Sequence, residues 1–185
     1  MIDYRPFRNT DSPLLVELWR RAAASRPLVQ PLSLALFEQL VLAKPYFDRR
    51  GLIVATEAGQ PIGFAHAGFG PAADGSGSTT DTGSATQRGS TCLVVVPPPA
   101  AEEAISAELL ARCEAYLRGR GAMVLYGGSP DPFASFYLGL YGGSEAGGVP
   151  ESDAAAQHLF RSASYVEAGR WQVLRRDFAK LRPIV

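Results

Sequence analysis

The sequence has little of the residues that build metal centres and disulfide frameworks. It holds only 2 cysteines and 2 histidines among 185 residues. Cys92 lies in an apolar run typical of a strand, and Cys113 lies on the apolar stripe of a predicted helix. Both positions favour reduced, buried thiols that pack as small hydrophobic groups. Neither histidine has a second ligand at metal-site spacing, so no metal is expected.

An excess of charge of one sign and long hydrophobic runs are also missing. The chain has 18 basic and 18 acidic residues, and the basic ones are scattered, which argues against a nucleic-acid partner. No apolar run approaches the roughly 20 residues of a membrane span, and residues 1–5 lack the core of a signal peptide. We therefore expect a cytoplasmic protein without a membrane partner. Its length fits one domain, 1–185, with a substantial core.

What the sequence does contain is a strand followed at once by an amphipathic helix. Residues 91–96 read TCLVVV, three prolines follow, and residues 105–117 then carry an apolar stripe at helical spacing. A helix that starts directly after a strand presents unpaired backbone N–H groups, which suit an anion. The first turn, however, contains Glu102 and Glu103 and no glycine. Carboxylates there favour the helix dipole, and they also lie where a bound anion would lie.

The remaining pattern alternates strands and helices in the order β-α-α-β-β-β-α-β-α-α-β, which predicts a mixed α/β sheet covered by helices. The segment Asp11-Ser12-Pro13 is expected to cap the first helix, with Pro13 at its first position. Residues 33–44 predict a second helix, and 52–58 and 61–69 predict a hairpin. A short buried strand is predicted over 122–126 and a last extended stretch over 165–178. A helix is predicted over 154–162, capped by Ser152 and Asp153.

Two segments carry no such pattern. Residues 70–89 are almost all Gly, Ser, Thr, Asp and Ala. A segment without a large apolar residue buries too little apolar surface to offset the conformational entropy that it loses on ordering. We therefore expect a flexible loop, which is either a surface insertion or a lid. Residues 179–185 are interpreted as a tail or the start of a linker.

With this order of elements, the chain resembles the GNAT superfamily of N-acetyltransferases. The similarity extends over almost the whole chain and is closest to a bacterial branch that carries a stretch much like FYLGLYGGSE, here residues 136–145. Residues 63–68, GFAHAG, also resemble the third strand of that branch. The resemblance implies a mixed, mostly antiparallel sheet of about seven strands flanked by helices. The helix over 101–119 is a crossover long enough to make the strands 91–96 and 122–127 parallel, and the resemblance implies that these two strands splay apart.

The resemblance further implies a site for acetyl-CoA as cosubstrate. In the superfamily the pantetheine arm lies against a strand like the one that holds Val94, Val95 and Val96. The next loop donates N–H groups to the pyrophosphate through a pattern Gln/Arg-x-x-Gly-x-Gly/Ala. On that pattern Ala101, Ala104 and Ser106 take the three defining positions, with Ile105 between the last two. None of the three is the standard residue, so the pyrophosphate loop is degenerate.

The catalytic residues are not fixed by the sequence. Many members of the superfamily carry a general-acid tyrosine in the last helix, and Phe160 takes that position here. His66 is a candidate base and Tyr137 a candidate phenolic acid. For both residues, packing in the core is the more common role. His158, among alanines on the last helix, is interpreted as a surface residue.

Two functions follow from this pattern. The first is a GNAT-type acyltransferase, weakened in its cofactor loop, that moves an acetyl group from acetyl-CoA to a small-molecule or peptide amine. The amine attacks the thioester, and strand amides near residues 94–96 hold the oxyanion. The second is a non-catalytic GNAT-like module that has lost CoA binding. Such a module would serve as a homodimer or beside a second GNAT domain.

Overall fold

The computed structural model describes residues 1–26, 32–69, 88–100, 102–128, 136–137 and 148–170. Within these ranges five strands form one sheet in the order β1-β2-β3-β4-β5. Their bounds are Ile2–Pro6 (β1), Leu52–Glu57 (β2), Gln60–Gly68 (β3), Arg88–Val95 (β4) and Val124–Gly127 (β5). The strands β1 to β4 pair antiparallel, whereas β4 and β5 pair parallel. The mixed, mostly antiparallel α/β sheet and the parallel pair are therefore confirmed.

The predicted number of strands, about seven, differs from the five in the described ranges. The last predicted extended stretch accounts for part of the difference, because residues 165–170 form no strand. Residues 171–178 lie outside the described part of the chain. The strand β4 begins at Arg88, so the last two positions of the segment predicted to be flexible belong to the sheet, and 70–87 lie outside the description.

Four α-helices accompany this sheet in the described ranges, and a 3-10 turn over Asn9–Asp11 precedes the first of them. They span Ser12–Ala23 (α1), Leu34–Phe37 (α2), Glu102–Gly119 (α3) and Ala154–Ser162 (α4), and α2 continues in a wider helical turn over Glu38–Leu42. None of these helices is long and apolar enough to cross a membrane.

The ends of the helices were predicted with mixed success. Asp153 caps α4, because its Oδ1 accepts a hydrogen bond from Ala156 N at 3.1 Å. Asp11 stands at the N-cap position of α1, but its side chain makes no capping hydrogen bond to that helix. Its carboxylate instead accepts two hydrogen bonds from the guanidinium of Arg5, at 2.7 and 2.8 Å, and one from the backbone N–H of Arg8. The Asp11 carboxylate is therefore engaged by Arg5 of β1 and by the Arg8 backbone, and it is not available as an acceptor for the N–H groups of α1.

The hairpin between β2 and β3 turns at Ala58 and Gly59, whose φ angles are 49° and 80°. Two successive positive φ angles define the tight turn that matches the twist of the flanking strands. The predicted hairpin is confirmed, with the turn where the glycine indicated.

The sheet has a hydrophobic cluster on each side. On the side of α1 and α2, the cluster is rich in aromatic rings and includes Phe7, Trp19, Phe37, Phe64, Phe136 and Tyr137. On the side of α3, it is built from smaller aliphatic residues, among them Ile53, Val94, Ile105, Leu109 and Leu117. Cys92 and Cys113 are buried free thiols, as predicted.

The strand β5 departs from its predicted burial. Met123, just before it, is 78% exposed and Val124 is 38% exposed. The strand lies at one edge of the described sheet, so one of its sides has no neighbouring strand there. The apolar run alone did not distinguish a central strand from this edge position.

Candidate functional site

The site begins where β4 leaves β5. Thr91 lies opposite Ala67 and Leu93 opposite His66, so Cys92 is an extra residue in β4, a β-bulge. The pairing of β4 with β5 ends at Thr91 and Gly127, followed by one hydrogen bond from Gly128 N to Thr91 O. Beyond this point the outer edge of β4 has no strand beside it in the described structure. The splayed pair of strands that the resemblance implied is thus present.

A cavity of about 520 Å³ opens beside this free edge, between α3 and α4. Its floor is formed by Val94 of β4 and by Arg26, which follows α1. The helical walls are mainly apolar or small, and the described residues that form them include Ala107, Leu110, Ala111, Ala155, Ala156, Leu159 and Ala163. A cleft with apolar walls next to an unpaired strand edge suits an extended ligand that carries amide groups.

Arg26 connects the free edge to α4. Its Nη1 donates to the carbonyl oxygen of Val94 at 2.7 Å. Its Nε and Nη2 donate to the two carboxylate oxygens of Asp153, at 3.3 and 2.7 Å. The side chains are only 10% and 2% exposed. We call these contacts among Arg26, Val94 and Asp153 the Arg26 bridge.

Three carboxylates of α3 line the cavity. Glu102 and Glu103 lie in the first turn and Glu114 lies farther along the helix. His158 of α4 faces Glu103, with its Nε2 at 3.6 Å from Oε1, and both side chains are largely exposed. Arg26 is paired with Asp153, and Glu114 is paired with Arg118 at 2.9 Å, so Glu102 and Glu103 are the carboxylates of the described lining that have no arginine partner. These two carboxylates repel a pyrophosphate.

The residues predicted to bind the cofactor fall into three groups. Val94 and Ser106 line the cavity. Val95, Val96 and Ile105 are buried in the hydrophobic clusters, so only their backbones are available to a ligand. Ala104 is exposed and outside the cavity lining, and Ala101 lies outside the described residues.

Phe160 lies near the end of β5 and is not among the residues that line the cavity. Its ring packs on Gly127, where an added Cβ would lie 2.7 Å from the ring. It also lines a small space of about 20 Å³ with Arg26, Val94 and Asp153. A phenyl ring has no proton to donate, so the position that the resemblance assigned to a general acid carries none here.

The two candidate catalytic residues contact each other on the aromatic side of the sheet. Nδ1 of His66 lies 3.0 Å from the hydroxyl oxygen of Tyr137, and both residues are buried. The rings of Phe47 and Phe136 pack edge-on against the imidazole, and Trp19 stacks on Tyr137. Burial lowers the pKa of His66 to about 3, so the imidazole is neutral at physiological pH. Neither side chain is among the residues that line the cavity.

Several residues of the cleft were not predicted. Arg26 had no local signal in the sequence, and its partners are 68 and 127 residues away. Asp153 was recognised only as a helix cap, and His158 only as a surface residue. Among the described residues, no group of three or more His, Cys, Asp or Glu side chains lies close enough together to hold a metal ion.

Comparison with known proteins gives matches in structure alone. No protein-family model matches the sequence, and no curated protein matches it. A predicted acetyltransferase from Clostridium acetobutylicum, solved with acetyl-CoA, superposes with a TM-score of 0.61 at 15% identity over 95% of this chain and 96% of that one. The aminoglycoside N-acetyltransferase AAC(6')-Iy, solved with CoA, gives a TM-score of 0.60 at 13% identity over 95% of each chain.

A ribosomal-protein-alanine N-acetyltransferase from Brucella melitensis biovar Abortus 2308 gives a TM-score of 0.61 at 12% identity, over 96% of this chain and 100% of that one. At such identities the likeness shows the fold. The protein has the fold of the GNAT acetyltransferases, and two of these structures hold CoA or acetyl-CoA.

Proposed function

We propose that the protein is a GNAT-type acyltransferase that moves an acetyl group from acetyl-CoA to an amine. The observation that carries this proposal is the divergence of β4 from β5 after Thr91, directly beside the cavity between α3 and α4. An unpaired strand edge supplies hydrogen-bonding groups at regular spacing to an extended amide chain. The pantetheine arm of the donor is such a chain, and the apolar cavity walls suit its methylene groups.

The reaction joins the amine nitrogen to the acetyl carbon and breaks the bond between that carbon and sulfur. The amine attacks in its neutral form, and the proton that it loses reaches the departing thiolate, directly or through water, so that the products are the acetylated amine and the CoA thiol. Negative charge develops on the thioester oxygen, and backbone N–H groups of residues 94–96 are our candidates to hold it. His66 and Tyr137 are too deeply buried to meet the amine in this structure, so we do not assign them to this step.

The site fits the pyrophosphate of the donor less well than it fits the pantetheine arm. Glu102 and Glu103 stand at the first turn of α3, where a pyrophosphate would otherwise meet the helix N-terminus. At about 5 Å and an effective dielectric near 20, one carboxylate and one phosphate charge repel by about 3 kcal/mol, and exposure to solvent reduces this value. We therefore expect CoA to bind more weakly than in a site with a standard pyrophosphate loop.

A second function, a non-catalytic module, is favoured by the Arg26 bridge and by Phe160. The bridge already satisfies the Val94 carbonyl that a ligand would use, and Phe160 offers no general acid. Such a module would act through its surface, as a homodimer or beside a second GNAT domain.

Calorimetry with acetyl-CoA and with CoA separates the two functions. Under the acyltransferase proposal, acetyl-CoA binds and raises the melting temperature. A concentration 100-fold above the Kd adds about 2.7 kcal/mol to the free energy of unfolding. Transfer is then followed as CoA thiol release with a panel of amines, which includes an aminoglycoside and a peptide with a free N-terminal alanine. Binding without transfer to any amine would leave the acceptor unidentified, whereas no binding at millimolar acetyl-CoA would favour the module.

A further inference from the structure

The Arg26 bridge lies across the part of β4 that a ligand needs. Val94 follows the bulge, beyond the last residue of β4 that pairs with β5. Its carbonyl oxygen is taken by Nη1 of Arg26 at 2.7 Å. A hydrogen bond from a charged donor is stronger than one from a neutral amide. A ligand amide therefore has to displace the guanidinium before it binds this carbonyl.

The geometry of the guanidinium makes such a displacement feasible. Arg26 uses Nη1 for Val94, but it uses Nε and Nη2 for Asp153. Because the guanidinium is a rigid plane, the bond to Val94 breaks while the bidentate pair remains when Arg26 and Asp153 shift together away from the strand. The charge of the buried arginine keeps its partner throughout, which avoids the large cost of an unpaired buried charge.

We propose that Arg26 is a specificity-determining gate on the strand edge. In this proposal, which rests on the proposed function, the amide-bearing arm of the donor binds only after the guanidinium has left the carbonyl of Val94. The bridge selects for ligands that hydrogen-bond along the edge strongly enough to replace it. Small apolar molecules that fit the cavity without pairing to β4 leave the bridge closed.

A second arginine offers a matched control. Arg21 of α1 also donates from Nη2 to a backbone carbonyl that follows β4, that of Pro98, at 3.2 Å. It is not among the residues that line the cavity. Loss of either arginine removes a bond between the α1 region and the β4 region, but only loss of Arg26 frees the strand edge.

The test measures the affinity for pantetheine, which has the amide arm without the pyrophosphate, and for CoA. Arg26→Ala alone leaves the carboxylate of Asp153 buried without its ion partner, so the working variant combines Arg26→Ala with Asp153→Ser. Serine keeps a hydroxyl acceptor for the N-terminus of α4. Circular dichroism confirms folding, and calorimetry compares this double variant with Arg21→Ala and with the wild type.

The double variant is expected to bind pantetheine about tenfold more tightly than the wild type, a change of about 1.4 kcal/mol, while Arg21→Ala stays within about twofold. A merely structural role for Arg26 predicts no gain in affinity. Equal binding by the double variant and the wild type would overturn the gate, and weaker binding by the double variant would make Arg26 a direct ligand contact. In both cases binding by the wild type upholds the proposed function. Failure of all variants to bind pantetheine and CoA would overturn both.

Discussion

Two regions of the molecule, the aromatic side of the sheet and the free edge of β4, hold their buried polar groups in different ways. On the side of α1 and α2, His66 and Tyr137 form a neutral pair enclosed by aromatic rings. At the free edge of β4, Arg26, which lines the cavity, forms an ionised pair with Asp153. Both pairs join residues far apart in the chain, but only the second faces space that a ligand is able to fill.

The difference indicates what each pair does. A neutral hydrogen bond among packed rings fixes the fold, and its loss is expected to lower stability. A charged pair beside a cavity also controls which atoms of the strand edge are accessible, so its loss is expected to change binding. The following predictions test this division between the aromatic side and the cleft.

The largest effect is expected for Trp19→Ala on the aromatic side. Trp19 is fully buried, and its ring stacks on Tyr137 at a centroid distance of 5.9 Å. Truncation of a buried aromatic residue to alanine costs about 3–5 kcal/mol, and we expect a loss in this range in denaturant unfolding. Leu14→Ala, on the same helix but at a position 43% exposed, is the control and is expected to cost less than about 1 kcal/mol. A similar small loss for both variants would contradict a tightly packed aromatic side.

A dependence of stability on pH is the next largest effect. The pKa of His66 falls from 6.5 to about 3 on folding, because burial disfavours the imidazolium. The unfolded chain therefore binds a proton that the folded chain rejects. Stability is full above pH 6.5 and declines as the pH falls toward 3, with a loss of about 2 kcal/mol at pH 5.

Unfolding experiments at pH 7 and pH 5 measure this loss. His66→Gln is expected to remove most of the difference between the two pH values, even though it lowers stability at both. His158→Gln, at an exposed position, is expected to leave the difference unchanged. An equal pH dependence in the wild type and His66→Gln would mean that other groups, not His66, cause it.

These contrasts also explain how much could be predicted from the sequence. The strand β4, the hairpin turn at Gly59 and the helix α4 with its Asp153 cap were all predicted, because each depends on neighbours within a few residues. The parallel pairing of β4 with β5 followed from the length of the helix between them.

The site was only partly predictable, because its decisive contacts are long-range. His66 and Tyr137 were each named as candidates, but nothing in the sequence shows that they bind each other across 71 residues. Arg26 lies in a segment whose local pattern suggests only the end of a helix. A single sequence reports local propensity and periodicity, whereas the Arg26 bridge is created by the way that three distant elements meet.

A smaller effect is expected when the carboxylates of the cleft are neutralised. Glu102→Gln with Glu103→Gln removes negative charge from the first turn of α3, and we expect about a fivefold gain in CoA affinity at low ionic strength. Because these side chains are partly or largely exposed, salt screens the effect, and the gain is expected to shrink at about 0.5 M salt.

Two controls sharpen this result. Pantetheine lacks the pyrophosphate, so its affinity is expected to stay the same in the double glutamine variant. Glu108→Gln removes a carboxylate from the same helix at a position paired with Arg112 and outside the cavity lining, and it is expected to change CoA affinity by less than about twofold. An equal gain for CoA and pantetheine would show that the glutamates act through the shape of the cleft rather than through charge.

The smallest effect is expected when residues 70–87 are replaced by a short Gly-Ser turn. The pairing register places Gly68 opposite Ser90, so the ends of β3 and β4 are close enough for a short connection. The free-energy cost of loop closure changes by only about 0.6 kcal/mol for each halving of loop length, and we expect the free energy of unfolding to change by about 1 kcal/mol or less.

Gly68 lies under the ring of Phe136, so a larger loss of stability would mean that the segment helps to hold the aromatic side together. A drop in CoA or pantetheine affinity at unchanged stability would instead make it a lid over the cleft, and calorimetry on the shortened protein distinguishes the two outcomes.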